Sequence, residues 1–135
     1  MEPETLPSRD DVIRIYEDRL RRDGEPNVGS LAQPNFDCLD GVLAATEMYA
    51  AWGDGIDQLH VAAYLLCKLA RRHCLPNANK RTAWDSAMRV LIGEGLTVDE
   101  SPEVVSAFVT RIVVERLEPS DVVKWMAERL SAAEL

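Results

Sequence analysis

This 135-residue sequence lacks positive charge over one long stretch, since residues 24–67 contain neither Lys nor Arg. The formal net charge is −8. A surface that binds nucleic acid or an acidic membrane by bulk electrostatics needs a basic face, so the composition argues against both kinds of partner. A partner that docks on residues 24–67 is expected to bring positive charge. The basic residues near the middle of the chain are concentrated between Lys68 and Arg81.

Long apolar runs are missing as well. No run reaches the roughly 20 residues that a membrane-spanning helix needs. The N-terminus, Met1-Glu2-Pro3-Glu4, carries two acidic residues and lacks the apolar stretch of a signal peptide. We therefore expect a cytoplasmic protein without a membrane-bound segment.

Cysteine is rare and odd in number. Two of the three cysteines lie within apolar helical patterns, which predicts reduced thiols in the core of a cytoplasmic protein. A zinc site built from His60, His73 and Cys74 is an alternative, but these residues lack the closed four-ligand spacing of structural zinc. The cysteines are Cys38, Cys67 and Cys74.

No alternation of period two is long enough to indicate a sheet, and no internal repeat interrupts the helical spacing, so the sequence predicts one all-α domain over residues 1–135. Apolar residues make up 47% of the chain, enough for a buried core. Residues 24–37 are rich in Gly and Pro and predict a loop. The last helix is expected to bury Val122, Trp125, Met126 and Leu130. Helices are predicted at residues 8–24, 39–51, 57–72 and 79–91, and after the start signals at residues 101–102 and 119–121.

Several familiar signatures are also absent, namely the Walker-type loop, the protein-kinase loops and the His-Glu-x-x-His zinc motif. Any nucleotide chemistry must therefore belong to residues 73–82, with the sequence HCLPNANKRT. This stretch joins two strongly patterned helices, and we call it the elbow. It predicts a helix–loop–helix site.

Two cations of the elbow lie where helix electrostatics disfavours them. Lys80 and Arg81 fall in the first turn of the outgoing helix, where unpaired N–H groups already carry partial positive charge. An anion on this helix N-terminus, most often phosphate, would offset that charge. Ala78 is small enough to admit the anion, and Asn79 offers a further amide donor. The alternatives are that both cations are solvated surface charges and that Asn79 only caps the helix.

His73 stands beside this anion site. The unperturbed pKa of histidine suits a general base near neutral pH. A histidine at a helix end also commonly serves as a C-terminal cap or a buried polar group, so its residue type alone leaves the role open.

The elbow resembles the signature of the Fic/Doc superfamily. In order, that signature has a His, an acid a few residues later, a Gly or Ala, an Asn, a Gly or Lys, an Arg and a Thr. Lys80 is the variant typical of the Doc (death-on-curing) branch. Residues 40–45 (DGVLAA) look like the branch's helix ahead of the active site, and the resemblance covers roughly residues 35–130. Leu75 replaces a packing Phe, and Asn77 replaces the acid that helps to hold Mg²⁺. The matching positions are His73, Ala78, Asn79, Arg81 and Thr82.

This resemblance implies a helical bundle of the Fic/Doc type that transfers a phosphoryl group from ATP or another nucleoside triphosphate to a Ser or Thr hydroxyl. His73 would accept the hydroxyl proton, and residues 78–81 would bind the phosphates. Asn77 would leave a weakened Mg²⁺ site. The implied protein is a toxin whose target is a translation protein such as elongation factor Tu, restrained by a Phd-like antitoxin. The region matching residues 24–37 often forms a flap that docks the target, the alternative being a plain connector.

Two other functions stay open. AMP transfer, the commoner chemistry of the superfamily, is disfavoured by Lys80, because its side chain fills space that Gly leaves open for the usual nucleotide pose. A catalytically silent binding module is the second alternative, since Asn77 lacks the charge of the family acid. The chain also lacks the sequence of the inhibitory helix that some members of the superfamily carry. We therefore expect a separate protein to inhibit it.

Overall fold

The helical periodicity of the sequence corresponds to real helices. The computed structural model describes residues 6–24, 33–53 and 55–133, and within these ranges six helices and two short strands are found. The structure therefore confirms the all-α class and the predicted order of helices. The elements are α1 (Arg9–Asp23), α2 (Phe36–Trp52), α3 (Gln58–Arg72), α4 (Asn79–Ile92), β1 (Leu96–Val98), α5 (Pro102–Val114), α6 (Pro119–Ala127) and β2 (Leu130–Ala132).

The helix ends are fixed by local hydrogen bonds, and the residue types that form them can be recognised in the sequence. Ser8 and Asp11 form a reciprocal capping box at the start of α1, with N···O distances of 3.1 and 2.9 Å. The backbone N–H of Ser8 is the main reason why the pKa of Asp11 is lowered to about 2. Helix α1 ends at Asp23 and is capped by Gly24, whose left-handed conformation (φ 67°) suits a residue without a side chain.

Helix α3 is the centre of the hydrophobic core. It contacts α2, α4, α5 and α6, and its buried residues lie around most of its circumference, as expected of a helix enclosed by others. Helix α3 leads into the elbow and α4 follows it. The elbow is therefore held by the two most extensively packed helices. The buried residues of α3 are Val61, Ala62, Ala63, Leu65, Leu66, Cys67, Leu69 and Ala70.

A small sheet departs from the sequence-based prediction. Strand β1 pairs antiparallel with β2, with Val98 opposite Leu130. The prediction of no sheet was wrong here because a three-residue strand is too short to show alternation. Leu130 was also expected in the last helix, but α6 ends at Ala127 and Leu130 belongs to β2.

The prediction of three reduced cysteines is wrong. Cys38 and Cys74 form a disulfide with Cα atoms 5.4 Å apart, while Cys67 is free and buried, and burial raises the pKa of its thiol to about 11. The pairing joins residues 36 apart in sequence because the start of α2 lies beside the elbow. There the backbone N–H of Asn35 donates to the carbonyl oxygen of Cys74 at 2.7 Å. The bond also removes Cys74 as a zinc ligand.

Two further expectations concern the chain outside this core. The region proposed as a flap falls mostly on residues 25–32, which lie outside the described residues. Within the described ranges, none of the helices combines the length and the apolar character needed to span a bilayer.

Candidate functional site

The elbow is bracketed by two residues in the left-handed helical conformation. His73 ends α3 with φ 52° and ψ 46°, and Ala78 precedes α4 with φ 55° and ψ 28°. This conformation is uncommon for residues with a Cβ atom and persists where surrounding contacts impose it. The chain therefore reverses between α3 and α4 over residues 73–78 in a tight and specific turn.

Three kinds of contact impose this turn. The side-chain oxygen of Asn79 accepts from the backbone N–H of Leu75 at 3.0 Å, and its amide nitrogen donates to the carbonyl of Leu75 at 2.9 Å. The Cys38–Cys74 disulfide fastens the start of the loop to α2. Leu75, at the position of the family's Phe, is buried in the core. The side chain of Asn79 thus closes the loop, and its predicted contribution of a donor to an anion stays a prediction.

A cavity of about 260 Å³ opens at the elbow. His73, Lys80 and Arg81 are exposed side chains, and all three line it. Among the residues that the structure describes, no acidic side chain contributes to this lining. The N-cap residue of α4 is Ala78, whose side chain cannot accept a hydrogen bond, so the helix begins without a side-chain cap. The cavity therefore combines a histidine, two cations and a helix N-terminus, which together suit an anion. The lining residues are His73, Ala78, Asn79, Lys80, Arg81 and Val113.

Both cations of the elbow have partners within the protein. The Lys80 ammonium donates to the hydroxyl of Thr110 on α5 at 3.4 Å. The Arg81 guanidinium forms an ion pair with Asp23, the last residue of α1. Sequence reasoning missed Asp23, and no local signal could have revealed it, because the two residues are 58 positions apart. Part of the charge offset that the sequence led us to expect from an anion is therefore supplied by a carboxylate of the chain.

Asp23 belongs to a larger ionic network between α1 and α4. Arg19 holds Asp85 with two hydrogen bonds of 2.7 and 2.8 Å and lies 3.4 Å from Asp23. Arg22 adds a third contact to Asp85 at 3.2 Å. The hydrogen bonds of Asp85 raise the pKa of Arg19. Such two-pronged pairs are the stronger and more directional kind of ion pair, so the network fixes α1 against α4.

A second cavity, of about 450 Å³, is lined in part by Arg19, Asp23 and Asp85 of this network. Lys80 and Arg81 line both cavities, so the two spaces meet at these cations. Apolar side chains of α5, including Val105 and Val109, form part of its wall together with Trp84 of α4. The site is thus larger than the elbow alone.

Asn77 is the predicted site residue that the structure leaves out of the elbow cavity. Its side-chain oxygen, the atom that would bind Mg²⁺, accepts a hydrogen bond of 2.7 Å from the hydroxyl of Tyr16 on α1. No cluster of three or more His, Cys, Asp or Glu side chains suited to a metal is found within the described ranges. The Asn77 oxygen is thus engaged with Tyr16 in this fold, and the weakened Mg²⁺ site expected from the sequence stays a prediction.

The chain was compared with known proteins. No family model matches the chain. The curated protein kinase Doc of Escherichia phage P1 is 28% identical over 96 residues, which cover 71% of this chain and 73% of that protein.

Proposed function

Because this chain is a distant relative of the Doc family, we propose that it is a kinase that transfers a phosphoryl group from a nucleoside triphosphate to a Ser or Thr hydroxyl of a protein. The observation that carries the proposal is the elbow cavity, where His73, Lys80 and Arg81 line one space at the start of α4. A general base and an anion site are thereby adjacent, as phosphoryl transfer to a hydroxyl requires.

In the proposed reaction the target hydroxyl enters beside His73. The imidazole takes the hydroxyl proton while the oxygen forms a bond to the terminal phosphorus. The bond from that phosphorus to the bridging oxygen breaks, and the nucleoside diphosphate leaves with the electron pair. Catalysis of phosphoryl transfer is mainly positioning and electrostatic stabilisation. Lys80, Arg81 and the first N–H groups of α4 supply both by holding the phosphate oxygens.

Lys80 bears on which phosphate reacts. Its side chain occupies the side of the elbow cavity that faces α5, where its ammonium contacts Thr110. This supports the argument that Lys80 restricts the nucleotide pose used for AMP transfer and favours reaction at the terminal phosphate. No step of the proposed reaction depends on a metal held by Asn77.

The proposed biological role is that of a toxin in a toxin–antitoxin pair. A translation protein such as elongation factor Tu would be its target, and a Phd-like antitoxin would restrain it. The charge distribution supports a basic antitoxin segment, because residues 24–67 lack Lys and Arg while α2 exposes Asp37, Asp40 and Glu47. Expression of the chain without an antitoxin should arrest growth of a suitable bacterial host, and harmless expression of the active protein would contradict this role.

The test of the activity uses ATP labelled at either the α or the γ phosphate. The purified chain is incubated with Mg²⁺, elongation factor Tu and, separately, a bacterial cytosolic extract. We expect label in protein from the γ position alone. Label from the α position would instead establish AMP transfer.

The key variant is His73→Asn, because Asn tolerates the left-handed backbone that residue 73 adopts. It should abolish labelling while leaving the thermal unfolding midpoint nearly unchanged. His60→Ala is the matched control, since the His60 ring pairs with Asp57 at 2.6 Å and lies outside the cavity lining. Equal loss of labelling in both variants would remove the case for His73.

A silent binding module is the second candidate function. It is favoured by the neutral side chain of Asn77 and by the hydrogen bond that its oxygen accepts from Tyr16. This candidate predicts no protein label from either phosphate position under several divalent metals.

A further inference from the structure

Arg81 and Asp23 each lie at the end of a helix that disfavours their charge. Arg81 is in the first turn of α4, where the helix dipole is positive, and Asp23 is the last residue of α1, where the dipole is negative. Neither placement is favourable by itself. In the fold the two side chains meet as an ion pair, so each offsets the unfavourable position of the other.

The carboxylate of Asp23 is itself held in place. Arg19 lies one turn earlier on α1 and contacts Asp23 at 3.4 Å, while its two hydrogen bonds to Asp85 anchor it on α4. Asp85 is in turn four residues after Arg81. These contacts form an open series of ion pairs, Arg81–Asp23–Arg19–Asp85, that crosses between α1 and α4 twice. Three of them, Arg19, Asp23 and Asp85, have side chains at most 22% exposed.

Arg81 is the most exposed member of this series of ion pairs, with 44% of its side chain accessible. A guanidinium has five N–H donors, and a carboxylate engages at most two of them, so pairing with Asp23 is compatible with phosphate binding. An unrestrained Arg side chain loses considerable rotamer entropy when it binds a ligand. An Arg that is already held by a fixed carboxylate has lost much of that freedom beforehand.

We propose that Asp23 is a positioning residue, which holds the Arg81 guanidinium at the junction of the two cavities for binding to phosphate. This inference rests on the proposed function, in which Arg81 binds the phosphates of the nucleotide. Asp23 acts through Arg81 and contacts no phosphate itself.

The test is a double-mutant cycle of Asp23→Asn and Arg81→Ala, with inorganic tripolyphosphate as the probe and calorimetry at 150 mM salt as the readout. Asp23→Asn keeps the side-chain shape but removes the charge. We expect it to raise the Kd about tenfold in the wild-type background and to have little effect in the Arg81→Ala background. Asp23→Glu, which restores the carboxylate, should recover part of the affinity.

The matched control is Asp18→Asn. Asp18 lies on the same helix and pairs with Arg21 on the exposed surface, away from both cavities. It should leave the Kd unchanged.

The outcomes separate the two proposals. If Arg81→Ala weakens binding while Asp23→Asn does not, or if Asp23→Asn acts equally in both backgrounds, the positioning role is refuted and the phosphate role of Arg81 survives. Tighter binding by Asp23→Asn would mean that Asp23 masks Arg81, which also refutes the inference. If Arg81→Ala itself has no effect, the phosphate role fails and the positioning role fails with it.

Discussion

The disulfide between Cys38 and Cys74 should provide a large part of the stability of this chain. A disulfide stabilises a fold mainly by restricting the unfolded chain, and the effect grows with the length of the loop that it closes. For the sequence separation of 36 residues found here, the chain-entropy relation gives about 4 kcal/mol. In a domain of this size a loss of that magnitude lowers the thermal midpoint by something on the order of 10 °C.

The variant Cys38→Ala tests this magnitude. Cys38 is only half-buried, so its replacement disturbs the core less than replacement of the buried Cys74. Thermal unfolding is followed by circular dichroism with and without a phosphine reductant. The wild-type midpoint should fall on reduction to near that of the variant, and the variant should not respond to the reductant.

Counting reactive thiols provides an independent check. Alkylation of the wild-type chain in guanidinium without reductant should add one group, at Cys67, whereas prior reduction should allow three. In the folded chain Cys67 should react slowly at pH 8, because burial raises its pKa to about 11. Three adducts without reductant, or a wild-type midpoint that reduction does not move, would refute the reasoning.

Three further predictions concern the contacts of α1 and the elbow. The pKa of Asp11 is lowered from 3.8 to about 2, so its charge stabilises the fold above its usual pKa and this contribution is lost as the pH falls through about 2. Asp11→Asn should lower the free energy of unfolding by about 1 kcal/mol at pH 7, and urea unfolding at several pH values should show the difference shrinking toward pH 2; a difference independent of pH would contradict this. Tyr16→Phe removes the hydroxyl that donates to Asn77 and should cost about 1–2 kcal/mol in the same urea assay, whereas an unchanged stability would mean that this hydrogen bond contributes nothing net. Asn77→Asp can still accept from Tyr16 and adds the family's carboxylate, so it should raise the transfer rate and lower the Mg²⁺ concentration needed; a metal titration that matches wild type in an active enzyme would show that residue 77 is structural.

The sequence alone predicted the helices and most of the residues that line the elbow cavity. Helix periodicity, the capping box at Ser8 and the Ser101–Pro102 start signal act within a few residues, so they can be read without knowing the fold. The charge of Lys80 and Arg81 at a helix start is local information of the same kind. The resemblance to Doc rests on contiguous residues, and the comparison with the phage protein supports it.

Tertiary structure alone decided which distant residues meet. The Cys38–Cys74 bond, the pairing of Asp23 with Arg81 and the hydrogen bond from Tyr16 to Asn77 join residues that are 36, 58 and 61 positions apart. None of these pairs has a sequence signature, because their geometry depends on how α1 and α2 pack against the elbow. The same packing places Asp23 against Arg81, a cation that helix electrostatics disfavours. The fold, and not the residues next to Arg81 in sequence, therefore decides its ion-pair partner.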